Sequence, residues 1–165
     1  MRLTLPIAAF AVALAAAAHA HEFKAGDLAI GHPYAIETPA TAKSAAGYFS
    51  VTNAGTAPDR LVAIEAEVPA EVHDTETDAA GVTRMTSVEA LEIPAGQTVT
   101  FAPRGLHVMF TGLTGPWKAG DQIPATLVFE TAGAVPVVFN VEPRKGAGEG
   151  MGDMEGMDHG TMKHD

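Results

Sequence analysis

Short alternations of apolar and polar residues, ended by glycine, proline or asparagine, recur along the middle of this chain. The run at residues 46–52 stops at Asn53-Ala54-Gly55, and the run at 88–93 stops at a Pro-Ala-Gly turn. Similar runs lie at 27–30, 34–36, 61–66, 71–73, 82–85, 98–101, 106–110, 125–129 and 135–141. Period-two alternation with this punctuation predicts strands. Many short strands without a long helical period predict one antiparallel all-β domain, a sandwich or barrel, over residues 21–145.

The two ends of the chain do not follow this pattern. Residues 1–20 have a single basic residue, Arg2, near the start, continue as an alanine-rich apolar run and end in Ala18-His19-Ala20, which predicts a cleaved signal peptide. The run is too short to favour a membrane anchor, and no cysteine follows it to carry a lipid. Residues 146–165 are rich in glycine, methionine and histidine and predict a disordered tail. We therefore expect an exported, unanchored protein that begins at His21.

Charge and cysteine content narrow the classes of function. The chain has 20 acidic and 10 basic residues, a formal net charge of −10, and no cysteine. A surface of this sign repels nucleic acid and anionic membranes, so no nucleic-acid partner is expected. The lack of a thiolate ligand also argues against a blue-copper type of enzyme, and we expect no catalytic activity.

Two histidines and two methionines inside the predicted domain suggest a metal site. They are His73, Met85, His107 and Met109. The ordinary alternatives are core methionines and surface histidines, but the pairing of these residues favours a site. His107 and Met109 are two apart on a predicted strand and so share a face. A hairpin that turns through residues 77–81 would set His73 directly opposite Met85. Imidazole and thioether ligands together suit Cu(I), whereas zinc sites seldom use thioethers.

This spacing is also the basis of a family resemblance. His73, eleven residues, Met85, twenty-one residues and His107-x-Met109 resemble the H(M)x10Mx21HxM motif of the periplasmic copper chaperone family PCuAC. Asp74 stands where the family often has its optional methionine. Flanking segments at 46–53, 59–61, 92–96 and 127–130 are similar as well, and the resemblance covers nearly all of residues 28–142.

The resemblance implies a structure and a role. It implies a cupredoxin-like Greek-key β-barrel that binds Cu(I) at a solvent-accessible edge in the periplasm. It also implies delivery of the copper to the copper-bearing subunit of cytochrome c oxidase, alongside a Sco-type thiol protein. An alternative within the same chemistry is a periplasmic protein that scavenges or buffers copper for tolerance.

The tail adds a second candidate site. Its ligand-type residues are Met151, Met154, Met157, His159, Met162 and His164. Low-complexity tails also serve solubility, but this density of thioethers and imidazoles favours a flexible feeder that takes copper in either oxidation state. After cleavage His21 would offer an imidazole and a terminal amine, a pair that can chelate Cu(II). His32, which precedes Pro33 and has no methionine neighbour, is expected to be structural.

Overall fold

Eleven strands form the structure, a computed structural model that describes residues 22–144. They are β1 (Glu22–Ala25), β2 (Leu28–Ile36), β3 (Ser44–Asn53), β4 (Asp59–Ala66), β5 (Ala70–Thr77), β6 (Thr83–Ser87), β7 (Leu91–Ile93), β8 (Thr98–Thr100), β9 (His107–Thr111), β10 (Gln122–Phe129) and β11 (Gly133–Glu142). The regular elements of this part of the chain are all strands, as predicted. None of its segments is a helix long and apolar enough to cross a membrane.

Seven of the strands close into a barrel. The order β2-β11-β10-β4-β5-β9-β3 returns to β2 through the β2–β3 pairing. The β11–β2 contact is parallel, and the other neighbours are antiparallel. The four remaining strands each extend one barrel strand: β1 pairs with β2, β6 with β5, β7 with β4 and β8 with β3. The predicted all-β, cupredoxin-like barrel is confirmed.

Alternation along the strands separates the core from the outer wall. β11 buries Val135, Val137, Phe139 and Val141 and turns its other residues outward. The β11 ring of Phe139 packs edge-on against Phe110 of β9, with ring centroids 5.4 Å apart. These closely packed rings supply much of the apolar burial that stabilises the barrel.

Glycine at position 47 allows β3 to pass close to this aromatic cluster. A Cβ atom there would lie 2.7 Å from a ring carbon of Phe110 and 3.0 Å from one of Phe139. Both rings are nearly fully buried and cannot move aside easily. Gly47 therefore sets the spacing between β3 and β9, on whose outer side the candidate site lies.

A bulge in β2 changes which residues face outward. The β2–β3 register shifts between Gly31 and Tyr34, and His32 has a φ of 48°. Before the bulge Ile30 points into the core, and after it Ala35 does so. The extra residue thus turns Tyr34 to the outer wall, next to its cross-strand partner Tyr48.

A nearly buried carboxylate at the start of β4 is hydrogen-bonded to the turn between β10 and β11. Asp59, 6% exposed, accepts backbone N–H bonds from Arg60 at 2.7 Å, Thr131 at 2.8 Å and Ala132 at 2.9 Å. Burial by itself would raise the pKa of Asp59, but these three donors stabilise the charged form and lower its pKa below the ordinary value.

The sequence located most strands but not all their limits. The predicted strand at 88–93 is reduced to β7, whereas the one at 71–73 extends to the eight residues of β5. β1 was not predicted, because its four residues contain no full alternation. The signal peptide and the tail, and the boundaries assigned to them, lie outside the described residues.

Candidate metal centre

Two imidazoles lie side by side on the outer wall where β5 meets β9. The register of these strands places His73 directly opposite His107. Their chain neighbours Val72 and Val108 are buried in the core, so both histidines point outward. The ring centroids are 5.9 Å apart with an interplanar angle of 44°. Only 6% of His107 is exposed although it faces outward, because the surrounding side chains enclose it.

In each imidazole, one ring nitrogen has a hydrogen-bond partner in the protein, and no donor points at the other. Nδ1 of His107 lies 2.9 Å from the Gly105 carbonyl oxygen, which can only accept, so Nδ1 carries the hydrogen and the Nε2 lone pair is available. Nε2 of His73 lies 3.3 Å from a Glu71 carboxylate oxygen. Nδ1 of His73 is buried and has no hydrogen-bond partner. A buried acceptor without a partner destabilises a fold by about 1–3 kcal/mol, and a metal ion would satisfy it.

The carboxylate and the carbonyl resemble the partners that orient metal-binding histidines. Such ligands usually donate their second ring N–H to a carboxylate or a backbone carbonyl, which fixes the tautomer and the ring direction. Glu71 and the Gly105 carbonyl occupy these two positions here. The sequence indicates neither partner, because a backbone carbonyl leaves no signal in a sequence and Glu71 resembles any exposed carboxylate.

Met109 lies on the same face as the imidazoles. It follows His107 by two residues on β9 and pairs with Glu71 across β5 and with Ala46 across β3. It is half-buried, and the small side chain of Ala46 leaves room beside it. Met109 is thus a diagonal cross-strand neighbour of His73, at a separation of about 7–8 Å with the Cβ atoms somewhat closer, which a long side chain can span.

The predicted pairing of His73 with Met85 is wrong by two residues. Met85 lies opposite Thr75, and His73 lies opposite Ser87. Met85 remains on the face of His73, but as a diagonal neighbour on the side away from Met109. It is 51% exposed. His73 is therefore the centre of the cluster, with the two thioethers on opposite sides of it.

The chemistry of the hairpin loop explains the difference in register. The prediction turned the chain through residues 77–81, whereas the loop runs from Asp78 to Val82. The Asp78 carboxylate accepts the N–H groups of Ala80 and Val82, and the Asp78 N–H donates to the Val82 carbonyl. Gly81 has a φ of 81°, which favours glycine. Moving the loop by one residue moves every cross-strand partner by two.

The β6 strand that carries Met85 is exposed to solvent along the edge that faces away from β5. The N–H of Val88 donates to the Val72 carbonyl. Because alternate residues of an antiparallel strand form the hydrogen bonds to its neighbour, Thr86 and Arg84 also direct their backbone N–H and C=O groups toward β5. The N–H and C=O groups of Met85 therefore point to the free edge of β6. All five residues of β6 are exposed. An incoming group can thus approach the cluster from the Met85 side.

The other singled-out residues lie away from this face. His32 is exposed and pairs with Glu142, its Nε2 3.0 Å from the carboxylate. Asp74 and Glu76 lie on the opposite face of the hairpin, as residues one removed from His73 and Thr75. Within residues 22–144, no group of three or more His, Cys, Asp or Glu side chains could hold a metal ion. The tail residues and His21 lie outside the described part of the chain.

Known proteins share this fold. The copper-bound PCuAC domain from PmoF2 is 29% identical, with a TM-score of 0.64 over 75% of this chain and 99% of that one. The apo PCuAC domain from PmoF1 is 28% identical, with a TM-score of 0.66 over 75% of this chain and 100% of that one. The Cu(I) form of DR1885 from Deinococcus radiodurans is 26% identical, with a TM-score of 0.55 over 76% of this chain and 83% of that one. The protein is therefore a cupredoxin-like barrel of the PCuAC type.

The family follows from the sequence match. Residues 28–141 match the family described as "Putative lipoprotein LpqE-like", and the chain belongs to that family. A curated relative, "Putative lipoprotein Lxx21020" of Leifsonia xyli subsp. xyli (strain CTCB07), is 37% identical over 79 residues. The match covers 48% of this chain and 48% of that protein, so it spans about half of the relative's length. The predicted resemblance to the PCuAC family is confirmed, while the four ligands stay a prediction.

Proposed function

We propose that this protein is a copper chaperone that binds Cu(I) with His73, His107, Met109 and Met85 and transfers it to another copper protein outside the cytoplasm. The observation that carries the proposal is the imidazole pair: two adjacent rings, each with a nitrogen lone pair free of donors, share a face with two thioethers that lie on either side of His73. Copper-bound and Cu(I)-bound domains among the structural neighbours support the choice of metal.

The donor set suits transfer rather than catalysis or permanent storage. Imidazole and thioether are neutral ligands that accept Cu(I), and neither binds it as tenaciously as a thiolate. Met85 lies on an exposed hairpin strand, so an acceptor ligand can replace it while His73 and His107 still hold the ion. We infer a non-enzymatic role, in which a ligand on the acceptor enters from the free edge of β6.

The two thioethers are expected to contribute unequally. Met109→Leu should weaken Cu(I) binding about tenfold, or about 1.4 kcal/mol, because Met109 is half-buried beside His107. Met85→Leu should have a smaller but measurable effect, because Met85 is exposed on the hairpin and must be drawn in. Competition with a Cu(I)-specific chelator measures both affinities. Val82→Ala, an exposed apolar residue in the hairpin loop, is the control. Unchanged affinity in both methionine variants would contradict the ligand assignment.

Delivery to the copper centre of cytochrome c oxidase, with a Sco-type thiol protein as co-partner, is the specific form of this proposal. The experiment mixes the Cu(I)-loaded protein with an apo copper domain of the oxidase, separates the two by gel filtration and measures the copper content of each. We expect the copper to elute with the oxidase domain. Copper retained by the donor, despite a higher-affinity acceptor, would refute the transfer role.

A periplasmic copper buffer that confers tolerance is the second candidate. The methionine and histidine content of residues 146–165 favours it. If the tail only collects copper, a chain without these residues should bind fewer copper ions, and the transfer of copper from the barrel should be unchanged. A tail that also determines transfer would favour the chaperone role. The lipoprotein names of the relatives support a site of action outside the cytoplasm.

A further inference from the structure

Both tyrosines of the chain lie in one row with the two imidazoles. The sequence contains two tyrosines, Tyr34 and Tyr48. They are direct cross-strand partners on β2 and β3, and their ring centroids are 5.2 Å apart. The β3–β9 register ends with Gly47 opposite Val108, and its next step sets Tyr48 beside His107. His73, His107, Tyr48 and Tyr34 thus follow one another across four adjacent strands.

The row is compact. Adjacent strands lie about 4.8 Å apart, so Tyr48 is one strand and Tyr34 two strands, or about 10 Å, from β9. Tyr48 faces outward but is only 8% exposed. It lies in the row between His107 and Tyr34 and is largely shielded from solvent.

The far end of the row holds a proton acceptor. Burial and, to a smaller extent, the charge of Glu142 raise the pKa of Tyr34. The same carboxylate pairs with Nε2 of His32 at 3.0 Å, and the His32 ring lies 5.0 Å from the Tyr34 ring. A phenol that loses an electron also loses its proton, and Glu142 supplies a carboxylate base at this end of the row.

We propose that Tyr34 and Tyr48 form a sink for the oxidising equivalents that hydrogen peroxide would generate at the copper, and that this sink ends as an intramolecular dityrosine cross-link. The proposal rests on the proposed copper site. Exported proteins face oxidants, and oxidation of methionine to the sulfoxide converts a soft thioether into a polar group. At this site that loss would fall on Met109 and Met85.

The chemistry balances with peroxide as the only oxidant. Copper held by the proposed ligands would give one electron to peroxide, which with one proton would yield water and a hydroxyl radical. The radical would remove the phenolic hydrogen of one tyrosine and become water. The oxidised copper would take an electron from the second phenol, whose proton leaves, and would end as Cu(I). The two tyrosyl radicals couple through ring carbons ortho to their oxygens, and tautomerisation restores both phenols. In sum, one peroxide and two tyrosines give dityrosine and two waters.

The cross-link does not require a change in the fold. Tyr34 and Tyr48 already pair directly across β2 and β3 on the same face. Such partners have Cβ atoms about 4.5–5.5 Å apart, and the two rings are tilted by 38° side by side. The new bond would join two strands that are already hydrogen-bonded neighbours.

The test treats the Cu(I)-loaded full chain with a small excess of hydrogen peroxide and analyses its peptides by mass spectrometry. We expect a Tyr34–Tyr48 linked product within one chain, two hydrogen atoms lighter than its parts, together with dityrosine fluorescence. Tyr48→Phe and Tyr34→Phe keep the ring packing and remove one phenol. They should abolish the cross-link and raise the rate of sulfoxide formation at Met109 and Met85 several-fold. Trp117→Phe, which alters an oxidisable ring packed on Phe110, should behave as the unmodified protein.

Several results would overturn the proposal. These are equal cross-linking of the copper-free protein, linkage only between chains, or unchanged sulfoxide formation in Tyr48→Phe. Cu(I) affinity is measured by chelator competition on the same samples before peroxide is added. If copper binds and no cross-link forms, the sink is refuted and the proposed function stands. If copper does not bind, both fall.

Discussion

Replacing His107 with alanine is expected to weaken Cu(I) binding about 100-fold, which corresponds to about 2.8 kcal/mol. The substitution removes the Nε2 lone pair that the Gly105 carbonyl keeps available, and it leaves His73 as the only imidazole of the pair. The loss should exceed that of either methionine variant, because His107 is enclosed and held in one tautomer before the metal arrives. Chelator competition under anaerobic conditions measures it.

The control for this experiment is another histidine of the barrel. His32→Ala removes an exposed imidazole that pairs with Glu142 outside the candidate site, and it should leave Cu(I) affinity unchanged. His107→Asn fills part of the space that the alanine variant leaves open, so it tests whether packing alone explains the loss. Equal losses in the His32 and His107 variants, or a full recovery in His107→Asn, would refute the role of His107 as a ligand.

Local patterns were sufficient to predict most strands. The alternation at residues 135–141 corresponds to the inward and outward positions of β11, because one face of that strand packs on the core and the other meets solvent. The same rule placed His107 and Met109 on one face of β9. Both inferences concern residues a few positions apart on one strand, where the backbone geometry alone fixes the direction of the side chains.

Relations between strands could not be predicted in the same way. The hairpin prediction failed because Asp78 and Gly81 stabilise a loop that starts one residue later. The direct pairing of His73 with His107 depends on β9 inserting between β5 and β3, a contact between distant segments. Tyr48 joins the same row only through the β3–β9 register. The sequence therefore indicated which residues carry the chemistry, and the closure of the barrel determined their order.

The site and the stability of the barrel are expected to be separable. Asp59 lies at the start of β4 and contacts the β10–β11 turn, away from the β5–β9 pair. Its variants should therefore lower the free energy of unfolding and leave the Cu(I) affinity of the folded protein unchanged at neutral pH. A fall in affinity without a fall in stability would show that the two regions are coupled.

Asp59→Asn should destabilise the protein by about 2 kcal/mol at neutral pH, because an amide cannot accept all three N–H groups and leaves a nearly buried donor unpaired. The pKa of Asp59 is lowered by folding from its ordinary value of 3.8. The carboxylate's contribution is therefore complete above that value and disappears as the pH falls through the folded pKa. The stability of the unmodified protein should converge on that of the variant in this acid range. Urea unfolding from neutral to acid pH measures both effects. Asp121→Asn, which alters a carboxylate that accepts one exposed N–H, is the control. A constant difference across the acid range would contradict the assignment to Asp59.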